Sequence, residues 1–315
     1  MSKNRKIIGL TVVIVVLLLA VFTLYGISDE NTETVRIGYL PTDHDSALFV
    51  ANATGMFKDE GLDVELYEYN NGGDLMSAMA SGDLDVGYVG ITQVIYSISK
   101  EVPVKIVAGA QNEGSGLLSH NPSVKSITDL KGKNVATPGE ASIQSVLLKY
   151  YLNKNGMKIS DIESPSMKVS SMNDALKTGS IDAMLTYEPY VTISKNINNQ
   201  TLMASSSDIL PDHPCCVVVM NDKFLSGHSD KAKKILNVHK KATEKIKEDP
   251  EGIVQYLPSH IVPDSEIENE SLSHIEWVSD LNDTYKKNVI NFMNIERDLG
   301  IINETIPPEK LFLKN

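Results

Sequence analysis

The sequence predicts an α/β protein of two related lobes, each a mostly parallel sheet flanked by helices. Three observations carry that expectation. The first is an internal repeat: residues 74–90, DLMSAMASGDLDVGYVG, read as helix, glycine turn and buried strand, and the pattern returns over residues 171–187 at an offset of 97 residues. Leu75 falls on Met172, Ala78 on Ala175, Met79 on Leu176, Gly82 on Gly179, Leu84 on Ile181 and Asp85 on Asp182. Spacing is helical before the glycine and strand-like after it. The second is that strand patterns alternate with helical patterns of about ten residues, the signature of right-handed crossovers. The third is capacity, since 315 residues with 42% hydrophobic content can bury two cores.

In chain order, residues 35–40 form a strand stopped by Pro41, and Thr42-Asp-His-Asp-Ser46 supplies cap chemistry for a helix to about Thr54. Residues 62–69 alternate as a second strand. The first repeat unit gives a helix and a strand, residues 91–100 a helix, and residues 104–110 a buried strand. Asn121-Pro122 is a turn signal, so the first part of lobe one is placed at 35–120 and lobe two at 121–212.

In lobe two, Asp129 to Lys133 turn into a strand at 134–137, and residues 138–142 open a helix closing at Asn155-Gly156. The second repeat unit follows, and Glu188-Pro189 starts a helix where proline is tolerated. Residues 212–220 read as a turn and an apolar strand that returns to lobe one, which resumes over 213–315. Beyond Ser229 the pattern is helical, with Ala232, Ile235, Leu236, His239, Ala242 and Ile246 on one stripe. Helical patterns at 264–280 and 283–299 follow, with no further strand expected. Asp85 and Asp182 read as equivalent structural residues where their strands begin.

The N-terminus speaks to location. Lys3, Arg5 and Lys6 precede an uncharged run over residues 7–25, whose length at about 1.5 Å per residue approaches the roughly 30 Å of bilayer hydrocarbon. Residues 1–27 are therefore a signal anchor or signal peptide, and 28–34 a polar tether. An uncleaved anchor is favoured, because secretory apolar regions are shorter and no cysteine follows to take a lipid. Charge on the N-terminal side places the remainder outside the cytoplasm, on the outer face of the cell membrane, or free in the periplasm or medium if the segment is cleaved. The net charge of −12 argues against a nucleic-acid partner.

Ligands of open α/β sheets bind beyond the carboxyl ends of the strands. Here those positions are Thr42, Asp43, His44 and Asp45; Gly90, Ile91 and Thr92; Gln111 and Glu113; Gly139, Glu140 and Ser142; and Thr186 and Glu188. Helix starts at Gly90, Ser142 and Pro189 suit anions, although Ser142 reads equally well as a simple cap. The carboxylates Asp43, Asp45, Glu113, Glu140 and Glu188 suit a cationic group, and His44 and His213 can donate to an anionic one. Tyr39, Tyr88 and Tyr187 are assigned to packing. The only cysteines, Cys215 and Cys216, are adjacent, which suits two small apolar residues opening a strand better than tetrahedral metal geometry, so no metal is expected. No nucleophile elbow, Walker loop, zinc-protease helix or Gly-rich dinucleotide fingerprint occurs, so binding without chemistry and without a cofactor is expected.

The stretches Ile37-Gly-Tyr-Leu-Pro41, Gly82-Asp-Leu-Asp-Val86, Val104-Lys-Ile-Val-Ala-Gly109, Asp129-Leu-Lys-Gly-Lys133, Ala136-Thr-Pro-Gly139, Ile181-Asp-Ala183 with Glu188-Pro189, and His213-Pro-Cys-Cys216 resemble the solute-binding proteins of ABC importers of the sulfonate, taurine and nitrate type. The resemblance implies a type II periplasmic-binding fold with two hinge crossings, closing as a monomer on a small anionic or zwitterionic solute. It further implies delivery to a permease with a cytoplasmic ATPase, and ligand contacts from Thr42 to His44, Gly90 to Thr92 and Gly139 to Ser142. Glu140 departs from the small residue common there, which points to a zwitterion such as an aminosulfonate, or to a nitrogen heterocycle of the thiamine-precursor kind. The rival class is an enzyme on the same fold, resembling thiamine-pyrimidine synthases or menaquinone-pathway lyases. The former carry a cysteine-rich motif and a cofactor lysine.

Overall fold

The computed structural model describes residues 33–262 and 264–314; the apolar run at 7–25 and most of the tether lie outside the described residues. Among the described residues no helix is long and apolar enough to cross a membrane. The strands are β1 (Val35–Tyr39), β2 (Val64–Glu68), β3 (Val86–Gly90), β4 (Val104–Glu113), β5 (Ser115–Ser119), β6 (Val135–Ala136), β7 (Ala183–Tyr187), β8 (Thr201–Ser205), β9 (Pro214–Asn221) and β10 (Ile275–Trp277). They form a first sheet ordered β10-β4-β9-β3-β1-β2 and a second ordered β6-β7-β5-β8.

The repeat is real in three dimensions. The helices Gly72–Ser81 and Val169–Lys177 bury Leu75 and Met79, and Met172 and Leu176, at matching positions. Gly82 and Gly179 turn each chain out of its helix at φ 82° and 72°, a region where glycine escapes the Cβ penalty. The two aspartates then do the same job. Asp85 accepts the Arg36 backbone N–H at 2.9 Å and returns its own N–H to the Arg36 carbonyl, as Asp182 does with Asn134. Each pins the first rung between neighbouring parallel strands. Asp85 also holds the Arg36 guanidinium at 2.8 Å. Asp85→Ala is expected to cost about 1–2 kcal/mol, from the lost acceptor and a part-exposed ion pair. Urea denaturation measures this, and an unchanged midpoint would contradict the assignment.

The sheets are mixed rather than mostly parallel. β1 runs parallel to β2 and β3, and β6 to β7, but β9 lies antiparallel between β3 and β4, β10 antiparallel to β4, and β5 antiparallel to β7 and β8. The reason is topological. The strand that returns from the second lobe runs backwards through the hinge and inserts into the middle of the first sheet. β5 belongs wholly to the second sheet, so the chain changes lobes at Gly114, not at Asn121. The tail is also not purely helical. After the helix Ser265–Ser273, β10 docks on the end of β4, where Gln111 to Glu113 offer an edge. Three residues are too few for a period-two pattern to register in the sequence.

A small core of Leu118, Ala136, Met172, Leu176, Ile181, Met184 and Val191 lies on one side of the second sheet. The larger core fills the first lobe and runs on under the other side of the second sheet, through Leu117, Val135, Val146 and Leu185. Non-polar packing is therefore continuous from one lobe to the other.

Candidate functional site

The cleft is built from the turn after β1. Pro41 ends the strand, and Thr42 caps the short turn Asp43–Asp45 by accepting the His44 N–H at 3.3 Å, before the helix Ser46–Ala53 begins. This turns Asp43, His44 and Asp45 inward, where all three are buried. Asp45 uses one oxygen to accept the Leu40 N–H at 3.1 Å; its other oxygen, Asp43 Oδ2 and His44 Nε2 have no hydrogen-bond partner.

β9 enters opposite this turn. Gln111 pairs with Cys216 and Asn112 with Pro214, which leaves Cys215 as an extra residue in β9. Such a bulge breaks the alternation of faces along a strand. As a result both thiols face His44: Cys215 Sγ and Cys216 Sγ stand 3.6 and 3.9 Å from His44 Nδ1 and 3.9 Å from each other. The expectation that adjacent cysteines cannot share a metal's geometry therefore does not hold. The hydrogen bond with Cys216 and the facing imidazole hold the Cys215 thiol well below the ordinary range, against its burial. Burial alone would lower His44, but Cys215, Asp43 and Asp45 outweigh it and raise its pKa.

The second lobe closes over this floor. The ring of Tyr187, at the end of β7, packs against His44 with centroids 5.5 Å apart. Thr186 is buried with its hydroxyl unpartnered, as are the Gln111 amide and His213 Nε2. From the C-terminal segment comes Glu268, fully buried with neither carboxylate oxygen paired. Burial, then Asp43 and Glu188 facing it, push its pKa up. Burial likewise raises Asp43, and lifts Asp45 to about 7. Among the described residues, no lysine or arginine is among the leading charges acting on these carboxyls.

Other expected contacts have different work. Glu188 is saturated: it accepts the Thr192 N–H at 2.9 Å and hydroxyl at 3.1 Å, and pairs with His274 at 2.7 Å. Glu113, at φ 64° beside Gly114 at φ 76°, accepts the Asp212 N–H at 3.0 Å and so ties the two crossings together. Glu140 points outward, 72% exposed and bound to Lys149, so the argument that it meets a cationic ligand group falls. Ser142 caps the helix Ile143–Lys154 and bonds back to the Gly139 carbonyl. Ile91 is core, and Thr92 is buried. Gly90 lies so close to Ile143 of the other lobe that a Cβ would sit 3.2 Å from its Cδ1. His213 is held by its Nδ1 to the Leu210 carbonyl at 2.8 Å and stacks on Phe292.

Sequence reading missed Glu268 and His274. The available signal was that Glu268 lies four residues before Leu272, on the apolar stripe of its helix. A surface groove of about 550 Å3 beside Val107, Leu236, Lys240 and Leu313 contains none of these groups and is not part of the cleft.

The comparisons agree with this architecture. A ligand-binding component of an ABC-type import system from Staphylococcus aureus, solved with zinc bound, superposes with a TM-score of 0.78 at 20% identity, covering 89% of this chain and 96% of that one. The periplasmic aliphatic sulphonate binding protein of Escherichia coli gives 0.77 at 16% identity, over 90% and 92%. Both show the same two-lobed fold. In sequence, a Saccharomyces cerevisiae 4-amino-5-hydroxymethyl-2-methylpyrimidine phosphate synthase is 28% identical over 234 residues, 69% of this chain and 67% of its own length. A Brucella abortus (strain 2308) protein, named as a candidate binding protein, is 28% identical over 240 residues, 75% and 74% of the two chains. The family model of the NMT1-like family matches residues 28–255, and the chain belongs to that family.

Proposed function

We propose that this protein is the solute-binding component of an ABC importer, held on the outer face of the membrane by residues 7–25. It captures a small donor-bearing solute, a zwitterion or a nitrogen heterocycle rather than a bare inorganic anion. It passes the solute to a permease driven by a cytoplasmic ATPase. The observation that carries the reading is the set of buried, unpartnered acceptors at the lobe interface, above all Asp43, Asp45 and Glu268. A buried carboxyl without a partner is costly, and a ligand that donates hydrogen bonds or carries positive charge recovers that cost.

Closure follows from the ties between lobes. Gln93 donates to the Ala141 carbonyl, Glu188 meets His274, and Lys195 and Asn196 both bind Glu270. With these contacts made Asp43, Asp45 and Glu268 are buried; opening breaks the contacts, as in hinge-closing binding proteins. A second reading, an enzyme acting on a pyrimidine, is favoured by relatives of that name in Saccharomyces cerevisiae and Aspergillus parasiticus. Mass-spectrometric detection of a turned-over product would establish it.

The test is thermal stabilisation across a panel of aminosulfonates, aminopyrimidines, amino acids, amine-free sulfonates and nitrate. A cognate solute at a hundredfold excess over its Kd is expected to add about 2.7 kcal/mol. Glu268→Gln is expected to weaken amine-bearing solutes more than amine-free ones. Stabilisation by nitrate alone, with Glu268→Gln unchanged, would sink the proposal.

A further inference from the structure

We propose that His44, Cys215 and Cys216 form a binding site for a thiophilic metal ion of the zinc class. The claim is separate from the identity of the solute. It rests first on spacing. Metal–sulfur bonds of about 2.3 Å and metal–nitrogen bonds of about 2.0–2.1 Å, set tetrahedrally, require roughly 3.8 Å between two sulfurs and roughly 3.6 Å between sulfur and nitrogen. The observed triangle, 3.9 Å between the sulfurs and 3.6 and 3.9 Å to His44 Nδ1, is that of three corners of such a tetrahedron, and all three residues are buried.

It rests second on how the triangle is made. A regular strand would point Cys215 and Cys216 to opposite faces. The bulge opposite Gln111 brings both to the side where the β1 turn presents an imidazole from 171 residues away in sequence. Two cysteines serving only as small apolar filling have no need of that arrangement. Two sulfurs and one imidazole nitrogen disfavour calcium and magnesium, which take oxygen ligands, and suit zinc-class or copper(I) ions.

It rests third on the outer shell. Nδ1 faces the sulfurs, while Nε2 lies 3.8 Å from Asp43 Oδ1, a charge contact longer than a hydrogen bond that sets a carboxylate behind the imidazole.

The test uses the full chain, reduced, with cobalt(II) as the probe. One equivalent is expected to bind with tetrahedral d–d bands and a thiolate charge-transfer band, both erased by added zinc. C215S and C216S are expected to lose the charge-transfer intensity and to bind more than about 100-fold more weakly, since outer-shell partners alone are worth about 10- to 100-fold. Asp43→Asn is expected to keep the bands and weaken binding about tenfold. Circular dichroism melts establish that each variant is folded; if either serine variant is not, C215A/C216A replaces it. Absence of a charge-transfer band in folded, reduced protein would overturn the site. So would cobalt binding unchanged in the cysteine variants, or a Cys215–Cys216 disulfide that persists under reduction.

Discussion

Glu188→Ala is expected to destabilise the protein by about 3 kcal/mol and to loosen the closed state. Glu188 is 1% exposed and accepts two hydrogen bonds from Thr192, also buried, at the start of the helix Tyr190–Asn196. Truncation leaves that backbone N–H without an acceptor, and an orphaned buried donor costs more than the net value of the bond. The contact with His274 adds less, because the histidine side chain is 40% exposed and solvent screens the pair. Its importance is positional, since His274 precedes β10 on the first sheet while Glu188 follows β7 on the second.

The pH dependence of that contact has a definite sign. The hydrogen bond that His274 donates to the Glu188 carboxylate raises its pKa above its ordinary value. Its contribution is therefore complete below about pH 6.5, the unfolded value, and fades as pH rises through the raised folded value. Glu188→Gln keeps an acceptor for Thr192 and loses the charge. Its deficit relative to wild type should be largest in mild acid and shrink in alkali, as read by urea midpoints. A deficit independent of pH would show that the charge at Glu188 does not matter.

The second large effect concerns His239, fully buried on the helix Ser229–Glu248. Nε2 lies 2.8 Å from the Gly109 carbonyl, to which it donates, and Nδ1 lies 3.1 Å from the Tyr88 hydroxyl, from which it accepts. Burial pushes its pKa down to about 4. An unfolded imidazole titrates near 6.5, so between those values the unfolded chain holds the extra proton. Stability is full above about pH 6.5 and falls as pH drops towards about 4, by up to about 3 kcal/mol.

Buried acids such as Asp45 act in the opposite direction, since a raised pKa makes protonation favour the native state. The clean measurement is therefore the difference between wild type and His239→Gln, which lacks the ionisation. Wild type should be more stable near neutrality, with the advantage narrowing from pH 7 to pH 4. Parallel profiles would count against the buried neutral imidazole.

Local periodicity carried much of the fold. Leu75 and Met79 are spaced for a helix face and Val86 to Gly90 for a buried strand, and their echoes at Met172, Leu176 and Ala183 to Tyr187 needed no knowledge of distant residues. The same holds for Pro41 and Thr42, whose backbone chemistry turns Asp43 and His44 inward whatever lies opposite. Gly114 shows the limit. Nothing local marks it as the change of lobes, yet a Cβ there would meet His44 Nε2 at 3.0 Å and Ile275 Cγ1 at 3.1 Å, atoms brought in by other parts of the chain.

By itself, then, the sequence determined two related lobes, the repeat with its paired aspartates, and the inward turn after β1, because each depends on contacts within a few residues or on a pattern repeated along the chain. Only the tertiary structure decided the rest. It set β9 backwards into the first sheet, sent Glu140 out to Lys149, and committed Glu188 and Glu113 to ties between segments. It also brought Glu268 under Asp43 and gathered Cys215, Cys216 and His44 around one point. Glu140 apart, those outcomes turn on strand order, on one bulge, and on pairing between residues 86 or more apart in sequence, where side-chain pattern carries no information about which groups will meet.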